Sequence, residues 1–384
     1  MFSTLTLFGS LACVSLAVTL WQVCVGFRFP LGRRTAGRPY LPPITILKPL
    51  KGCDSETEGC LRSWLTQDYA GSLQIIFGVA SSDDPVCGLV RRLMAQHPER
   101  SAQLLVCSER IGANAKVSQL VQLDRLAEHD VVCVSDADVW VAPDFLTHAV
   151  RPLGDSRVGV VSCLYRMTNH QGWAMRWEAF SVNADFWSQV LQSLSLKPMH
   201  FALGAVMITT HVRLRSLGGF NALSDQLADD YELGNRLARA GARIVLSPEV
   251  VECRSARLCF KEVWRHQLRW ARTIRVCQPV PVFFSIVGNA SLWPLVWLAT
   301  AHNGSVALMA LGCLLVRLLG GALLEHRFTG HLRASRWGMA MVKDLFQVFL
   351  WTLSFSGKQV TWSGARYRLE EGGKLIPLVE LEAK

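Results

Sequence analysis

Hydrophobic positions along the chain form two kinds of pattern. Residues 1–27 carry no charged side chain, and a run of this length can cross a bilayer core of about 30 Å. Residues 279–301 and 306–324 are also apolar, and Arg317 is the only charged residue of the later run. Between residues 40 and 278, short apolar runs alternate with segments of helical spacing. We therefore expect a water-soluble middle region with membrane helices at both ends.

The middle region alternates between segments typical of strands and segments typical of helices. Each short run of Val, Ile and other apolar residues is followed by a longer segment in which apolar residues recur at helical spacing. This alternation indicates an α/β fold with a mostly parallel central sheet and helices on both faces. The predicted strands are residues 44–47, 73–80, 102–107 and 131–135, and the predicted helices are residues 55–67, 85–96 and 115–128.

The first apolar segment predicts a membrane anchor, with a helix near residues 4–26. A cleaved signal peptide normally begins with a basic region, and residues 1–27 have none. Four arginines follow this segment, and such residues mark the cytoplasmic side of a membrane helix. We therefore expect the N-terminus outside and the middle region in the cytoplasm. The four residues are Arg28, Arg33, Arg34 and Arg38.

Two further apolar segments, residues 279–301 and 306–324, predict a helical hairpin. A short polar break separates them, so together they would return the chain to the cytoplasm. The loop that follows, residues 325–337, is basic and agrees with this orientation. Its arginines are Arg327, Arg333 and Arg336.

Residues 338–357 are apolar except for Lys343 and Asp344. A charge pair at membrane depth indicates either a functional site or a helix that lies in the interface. We favour a re-entrant or interfacial helix over a fourth span. The expected organisation is an anchor at 1–27, a cytosolic α/β domain at 40–278, transmembrane or interfacial helices at 279–357 and a basic cytosolic tail at 358–384.

Composition narrows the classes of partner. The net charge is +10, and half of the residues are hydrophobic. A basic chain can bind nucleic acid, anionic lipid or a phosphorylated substrate. No zinc-finger or other nucleic-acid-binding pattern is present, so we expect no nucleic-acid partner. The twelve cysteines include no CxxC pair, which favours a reducing compartment over a zinc site or a redox dithiol.

The candidate chemistry is centred on Asp136 and Asp138. Both follow an apolar strand directly, and ligands of open α/β sheets bind at the carboxyl ends of the strands. Two carboxylates there suit Mg²⁺ or Mn²⁺, with a diphosphate completing the coordination of the metal. The alternative is a solvated loop after a strand. The acidic and basic motifs elsewhere in the chain favour the metal site.

Two more acidic pairs lie beside predicted elements. Asp83 and Asp84 follow the second strand, so they can share an edge of the sheet with Asp136. The alternative is a helix cap, since Asp before Pro is common at helix starts. Asp229 and Asp230 begin a predicted helix, where the helix dipole favours a carboxylate. A carboxylate in this position is also a candidate general base.

Cationic side chains offer two candidate phosphate contacts. Arg265, Arg269 and Arg272 recur at helical spacing just before the second apolar region. Such a face can bind anionic lipid headgroups, or it can hold a diphosphate leaving group. Lys116 is interpreted as a solvated lysine, with contact to the diphosphate as the alternative.

Six segments together resemble the ceramide glucosyltransferases, and more widely the family-2 type of inverting glycosyltransferases. The resemblance covers about residues 40–278 and extends into the tail, and the order and spacing of the segments are jointly specific. The chain has Asp-Ala-Asp where the animal ceramide enzymes have Asp-Ser-Gly. It is therefore more similar to bacterial relatives, including the glycosyltransferase of hopanoid biosynthesis. The segments are residues 46–52, 83–85, 136–138, 229–231, 266–270 and 364–369.

The resemblance implies roles for the acidic residues. Asp84 matches the first aspartate of the family pattern and would contact the nucleotide, with Asp83 beside it. Asp136 matches the second and would lie near the metal and the diphosphate. Asp138 would be a further metal ligand. Asp230 matches the third aspartate and would be the catalytic base.

The resemblance also assigns the basic helix. Arg269 and Trp270 match the RW of the last motif, which binds the diphosphate. His266 stands where Gln or Arg is usual, which puts the contact at that position in doubt, and Arg265 could compensate. Lys116 is a further candidate for the diphosphate.

The implied activity is inverting transfer of a hexose from a UDP-sugar to the hydroxyl of a membrane lipid, with ceramide as first choice. The implied fold is GT-A, and the implied cofactor is Mn²⁺ or Mg²⁺. One alternative is N-acetylglucosamine transfer to a hopanoid. A processive polysaccharide synthase usually needs more transmembrane helices, and a non-catalytic scaffold would not need the intact carboxylates. The implied location is a multi-pass protein of the bacterial inner membrane with a cytoplasmic catalytic domain.

Overall fold

The computed structural model describes residues 2–33, 40–331, 338–362 and 364–378. Strands β1 to β11 are Ile44–Pro49, Leu73–Val79, Ser101–Val106, Val131–Ser135, Val139–Trp140, Val158–Met167, Val206–Thr210, Arg243–Cys253, Gln359–Trp362, Ala365–Leu369 and Leu375–Pro377. Helices α1 to α14 are Phe2–Arg28, Thr57–Leu65, Val86–Gln96, Ala115–Asp124, Phe145–Ala149, Gly172–Phe180, Trp187–Leu196, His211–Arg215, Asp229–Arg239, Phe260–Cys277, Pro279–Phe284, Leu292–Ala299, Gly304–Thr329 and Met339–Phe355. Four of the arginines that predict the membrane orientation lie outside the described residues, namely Arg34, Arg38, Arg333 and Arg336.

The predicted strands and helices of the first half are confirmed. The four apolar runs form β1 to β4, and β1 extends beyond its predicted end to Pro49. The three helical segments form α2, α3 and α4. Helix α4 ends at Asp124, before the predicted end at residue 128. The apolar runs predict these elements well because β1, β2 and β4 are buried throughout their length.

The chain divides into two compact units. Helices α6, α7 and α10 belong to the helical unit, although they lie within the predicted α/β domain, and the tail belongs to the sheet unit. The domain boundaries read from the sequence stay a prediction. The helical unit is Met1–Pro30, Gln171–Lys197 and Arg257–Lys358, and the sheet unit is Leu31–His170, Pro198–Ala256 and Gln359–Lys384.

The sheet unit contains an eight-stranded sheet of order β3-β2-β1-β4-β7-β6-β8-β5. Strand β1 is parallel to β2 and β4, β2 is parallel to β3, and β6 is parallel to β8. Strand β7 is antiparallel to both of its neighbours, and β5 is antiparallel to β8. The expectation of a mostly parallel sheet in an α/β fold is confirmed.

The parallel register brings three strand ends to one edge of this sheet. Pro49 at the end of β1 is opposite Gly78 of β2, and Leu47 is opposite Val134 of β4. The loops that follow these strands therefore begin side by side. They contain Gly52 after β1, Asp84 after β2 and Asp136 after β4. As expected for open α/β sheets, this edge collects the polar side chains.

A second, three-stranded sheet in the sheet unit is formed by the tail. Strand β10 pairs with β9 and β11 in antiparallel fashion. The N–H of Leu375 donates to the carbonyl of Asp225 (2.7 Å), and the N–H of Leu227 donates to the carbonyl of Gly373 (2.9 Å). The tail thus holds the short segment that leads into α9.

The helical unit has two helices that are long and apolar enough to cross a membrane, among the residues that the structure describes. They are Thr6–Arg28 and Gly304–Thr329. The expected span at 279–301 stays a prediction, since the two bent helices there pass the test for a membrane span only when they are taken together. The chain there forms α11 and α12, bent by 43° at a break. The break has a local cause, because the side chain of Asn289 accepts the N–H of Leu292 at the start of α12.

Helix α14 contains the charge pair of Lys343 and Asp344, and both side chains are buried within the helical unit. The helix has 17 residues, fewer than the roughly 20 that a typical span needs. The choice between an interfacial helix and a further span stays a prediction. The presence of apolar helices long enough to span makes this a membrane-associated protein.

Candidate active site

Lys48 on β1 fixes the end of β4. Its side chain is fully buried, and its Nζ donates to Ser135 Oγ (3.1 Å) and to the carbonyl of Asp136 (2.7 Å). The ammonium also lies 4.9 Å from the ring centroid of Trp64. Burial lowers the pKa of Lys48 to about 8. A buried amine needs such partners, so this side chain sets the backbone position at which the acidic motif begins.

Lys116 is shared by two carboxylates. It lies in the first turn of α4, which begins after Asn114, whose side chain accepts the N–H of Val117. Its Nζ is 2.6 Å from Asp136 Oδ1 and 3.5 Å from Asp229 Oδ2. Burial alone would lower the pKa of Lys116, but the two carboxylates raise it. Since only 18% of the side chain is exposed, the interpretation of Lys116 as a solvated lysine is wrong.

Asp230 has the electrostatic environment of a general base. It is half-buried at the start of α9, and its Oδ1 accepts the N–H of Tyr231 at 2.8 Å. Burial and the Asp229 carboxylate raise the pKa of Asp230 to about 6, against the opposing effect of Lys116. A carboxyl group that titrates near neutral pH can both accept and release a proton under physiological conditions.

Two glycines allow α9 to approach the segment before β7. A Cβ on Gly204 would lie 2.8 Å from Asp230 Oδ2. A Cβ on Gly234 would lie 2.2 Å from the backbone nitrogen of Ala202. Real Cβ atoms do not come this close to other atoms, so the position of Asp230 depends on the absence of side chains at both glycines.

Asp84 ties two loops together at the sheet edge. Both of its carboxylate oxygens accept the N–H of Gly52 at 3.0 Å, and Oδ1 also accepts the N–H of Val86 at 3.0 Å. Val86 is the first residue of α3, so the interpretation of Asp84 as a helix cap is confirmed. Asp83 is exposed beside it. Contact of either residue with a nucleotide stays a prediction.

The acidic motif offers oxygen ligands for a cation. Among the described residues, no group of three or more His, Cys, Asp or Glu side chains is arranged to hold a metal by itself. Asp136 and Asp138 are accessible carboxylates, however, and Asp136 already binds a cation, the ammonium of Lys116. Asp229 Oδ2 accepts no hydrogen bond from the described residues, and its cationic neighbour is the Lys116 ammonium at 3.5 Å. These carboxylate oxygens fit Mg²⁺ or Mn²⁺ that takes its other ligands from a diphosphate.

Helix α10 of the helical unit carries the remaining predicted residues. His266 Nδ1 is 2.6 Å from Glu178 Oε1, and the His266 ring lies 4.3 Å from the ring of Trp270, centroid to centroid. The side-chain nitrogen of Gln267 donates to the same Glu178 oxygen at 3.0 Å. Glu178 thus orients the side chains of both His266 and Gln267 on α10. Arg269 lies on the same helix, one residue before Trp270.

Three residues of these clusters were absent from the sites predicted from the sequence. Lys48 lies within the otherwise uncharged strand β1, Glu178 lies within the aromatic-rich helix α6, and both side chains are buried. A charge in an apolar run is the signal that would have indicated them, because burial of such a residue requires a partner. Asp229 was noted only at a helix start, and its pairing with Lys116 depends on the tertiary structure.

A sequence model of the family described as Glycosyl transferase family 21 matches residues 4–375. Ceramide glucosyltransferase 1 of Caenorhabditis elegans is 24% identical over 275 residues, which cover 71% of this chain and 58% of that protein. An N-acetylglucosaminyltransferase of Bradyrhizobium diazoefficiens is 24% identical over 249 residues, 61% of this chain and 49% of that protein. The chain therefore spans about half the length of these two curated relatives.

A solved structure shares the fold. A mannosyltransferase from Pyrobaculum calidifontis, determined with GDP-Man and Mn²⁺, is similar with a TM-score of 0.57 and 20% sequence identity. The match covers 92% of this chain and 99% of the mannosyltransferase chain. The expected GT-A fold is confirmed by this similarity.

Proposed function

Because the chain belongs to glycosyl transferase family 21, we propose that it is a membrane glycosyltransferase. It moves a hexose from a UDP-sugar to a hydroxyl group of a membrane lipid, and a ceramide-type lipid is our first choice. The observation that carries the proposal is Asp230, a half-buried carboxyl group whose pKa is raised to about 6. It lies beside a lysine–aspartate cluster at the start of α9.

In the proposed reaction, Asp230 is the base. It takes the proton of the lipid hydroxyl while the hydroxyl oxygen bonds to the anomeric carbon of the sugar. The bond between that carbon and the diphosphate oxygen breaks in the same step, and UDP leaves with the electron pair. A single displacement of this kind inverts the anomeric configuration and needs one base, whereas a retaining reaction usually needs a carboxylate nucleophile as well.

Charge on the leaving diphosphate needs stabilisation by cations. We assign Lys116 to this role, because its charge is maintained by Asp136 and Asp229. Mn²⁺ or Mg²⁺, held by Asp136 and Asp138, would neutralise further negative charge. Lys48 holds the backbone of the motif in place.

We assign the remaining predicted residues to the UDP moiety. Asp84, with Asp83 beside it, binds the nucleotide. Arg269 forms a charge-assisted contact with the diphosphate, with Trp270 and His266 on the same helix. The contact between His266 and Glu178 supports this assignment, because it holds the imidazole that stands in place of the usual Gln or Arg.

A second candidate is N-acetylglucosamine transfer to a hopanoid. It is supported by the similarity to the Bradyrhizobium enzyme, whose name states N-acetylglucosaminyl transfer. A processive polysaccharide synthase is disfavoured, because the described residues contain two helices that could span a membrane, or three if the bent pair counts as one span. For either lipid acceptor we place the protein in a bacterial inner membrane as a multi-pass protein, with the catalytic unit in the cytoplasm.

The Asp230→Asn variant tests the proposed reaction. We expect it to lose transfer almost completely while it still binds UDP-sugar, since the amide keeps the shape of the carboxyl group but cannot accept the proton. Transfer is measured with purified protein in lipid nanodiscs, and binding by calorimetry. Asp68→Asn, at an exposed carboxylate of the same unit, is the matched control. Unchanged turnover in Asp230→Asn would remove this residue from the base role.

The products identify the acceptor and the sugar. We expect lipid mass spectrometry of cells with and without the protein to show a lipid heavier by one hexose. A gain of one N-acetylhexosamine on a hopanoid would select the second candidate, and a polymeric product would contradict both.

A further inference from the structure

The helical unit contains a cavity of about 230 Å³ whose wall is largely apolar but includes several polar side chains. This volume is smaller than the roughly 300 Å³ at which pockets for drug-sized ligands begin. It suits a lipid head group but not a whole lipid with its acyl chains. The polar lining residues that matter here are Gln189, Gln267, Asn289, Arg317, Lys343 and Gln347.

Four charged side chains at this cavity form a closed network. Arg317 binds Asp185 with two hydrogen bonds (3.0 and 2.8 Å) and binds Asp344 with two more (2.7 and 2.8 Å). Lys343 Nζ is 2.6 Å from Asp185 Oδ2. Ser291 Oγ also donates to Asp344 at 2.7 Å. The two cations and two anions cancel, so the network has no net charge to offer a charged ligand.

The carboxamides of the cavity differ from the charged network, because they have hydrogen-bonding capacity left over. The side chains of Gln189 and Gln347 make no hydrogen bond within the described part of the chain. Gln267 donates from its nitrogen to Glu178, and its amide oxygen accepts none from the described residues. A carboxamide can donate and accept at once. It therefore matches hydroxyl and amide groups, which also do both.

The cavity adjoins the helix that carries the family motif. Gln267 and Trp270 line it, and both lie on α10 with His266 and Arg269. Glu178 contacts both His266 and Gln267, so one buried carboxylate orients a motif residue and a cavity residue together.

We propose that this cavity binds the uncharged polar head of the acceptor lipid, through its hydroxyl or amide groups, and discriminates against phosphate-bearing lipids. The inference rests on the proposed function and gives the acceptor lipid of that reaction a binding site. A phosphate would meet Asp185 and Asp344, whose paired cations are already engaged, whereas a neutral head meets free carboxamides.

The site is tested with full-length protein in nanodiscs and a short-chain ceramide that carries a photoreactive group. We expect the label on peptides of α10 and α14, and we expect unlabelled ceramide, but not phosphatidic acid, to prevent labelling. Labelling confined to other peptides, or equal competition by phosphatidic acid, would overturn the proposal.

The kinetics of two variants provide a second test of the cavity site. Gln347→Leu and Gln189→Leu each remove a free carboxamide, and we expect an increase of about tenfold in the acceptor KM. The donor KM, kcat and the melting temperature should stay unchanged. Thr352→Val, which removes an exposed hydroxyl from the same helix as Gln347, is the control. Gln189 is exposed at the cavity, so its variant folds even where Gln347→Leu does not.

The two proposals fail in different ways. An unchanged acceptor KM in both variants, with transfer intact, refutes the cavity site and leaves the proposed function standing. Labelling of α10 and α14 without transfer to any lipid refutes the proposed function and supports the site. Loss of thermal stability in both variants at an unchanged acceptor KM would make the carboxamides structural and also refute the site.

Discussion

Asp230 has two neighbours of opposite charge, and its pKa depends on both. Asp229 raises the pKa and Lys116 lowers it, while burial sets the value near 6. The base is active when it is deprotonated, so activity should rise with pH through about 6. At the residue scale, the electrostatics of this carboxyl group can therefore be tested by changing either neighbour alone.

We expect substitution of the two neighbours of Asp230 to shift the acidic limb of the pH–activity profile in opposite directions. Lys116→Met removes a positive charge, so the pKa of Asp230 rises and the limb moves to higher pH by about one unit or more. Asp229→Asn removes a negative charge and moves the limb to lower pH. The measurement is the pH profile of kcat/KM for the donor sugar. Shifts of the same sign in both variants would contradict the assignment of the limb to Asp230.

Gly204 controls the position of the same carboxyl group. A methyl group at this residue would come within 2.8 Å of Asp230 Oδ2, so Gly204→Ala must displace the base. A displacement of this kind can lower kcat by about 100-fold. The control is Gly88→Ala on α3, where an added Cβ meets no atom within 4 Å. Equal kcat in the two variants, measured under donor saturation, would show that the base tolerates the displacement.

At the scale of elements, the tail sheet holds the entrance to α9. The N–H of Leu375 donates to the carbonyl of Asp225, and the side chain of Leu375 is buried. Asp225 Oδ1 in turn accepts the N–H of Ala113 at 2.9 Å, close to the start of α4. The tail therefore supports the two helices that carry Asp230 and Lys116.

Two substitutions at Leu375 separate its side chain from its backbone hydrogen bond. Leu375→Ala keeps the N–H and should lower the free energy of unfolding by about 2–5 kcal/mol. Leu375→Pro also removes the donor, so we expect lower turnover than in Leu375→Ala when both are assayed well below their melting temperatures. The same turnover in the two variants would mean that the bond to Asp225 does not position α9.

Three strands that the sequence predicted, β1, β2 and β4, are buried along their whole length. Strand β3 was also predicted, although its residues are partly or fully exposed. Strands β6 and β8, whose burial changes along the strand, were not assigned. The bend within 279–301 was not expected, because hydrophobicity alone does not show a local contact such as the hydrogen bond that Asn289 Oδ1 accepts from the N–H of Leu292.

The candidate site was also predicted only in part from the sequence. The acidic residues were indicated by their place after strands and before a helix. The contacts of Lys48 and Lys116 with Asp136 were not indicated, because Asp136 is distant from both residues in the sequence. Sequence patterns therefore identify the acids of this site, while the cations that tune them are identified only by tertiary structure.

At the scale of the whole molecule, Arg317 connects two buried carboxylates of the helical unit, Asp185 and Asp344. Removing one partner of a buried ion pair leaves an uncompensated charge and costs about 3–5 kcal/mol. We expect Arg317→Met to lower the thermal stability of the purified protein in detergent by a corresponding amount. Leu315→Met, an exposed position on the same helix, is the control. An Arg317→Met variant as stable as the control would show that the network does not hold the helices together.

The network also has a consequence for how the protein is made. Asp185 is synthesised 132 residues before Arg317, and Asp344 follows Arg317 by 27 residues. Insertion of an isolated arginine into a bilayer costs roughly 2.5–3.5 kcal/mol. If α13 crosses a membrane, as its length and composition allow, Asp185 is synthesised before it and Asp344 after it. A chain that stops before α14 contains Asp185 and Arg317, which pair with each other, but it lacks both Lys343 and Asp344. Arg317 then has one of its two carboxylate partners, and the complete set of buried ion pairs forms only after α14 has been synthesised.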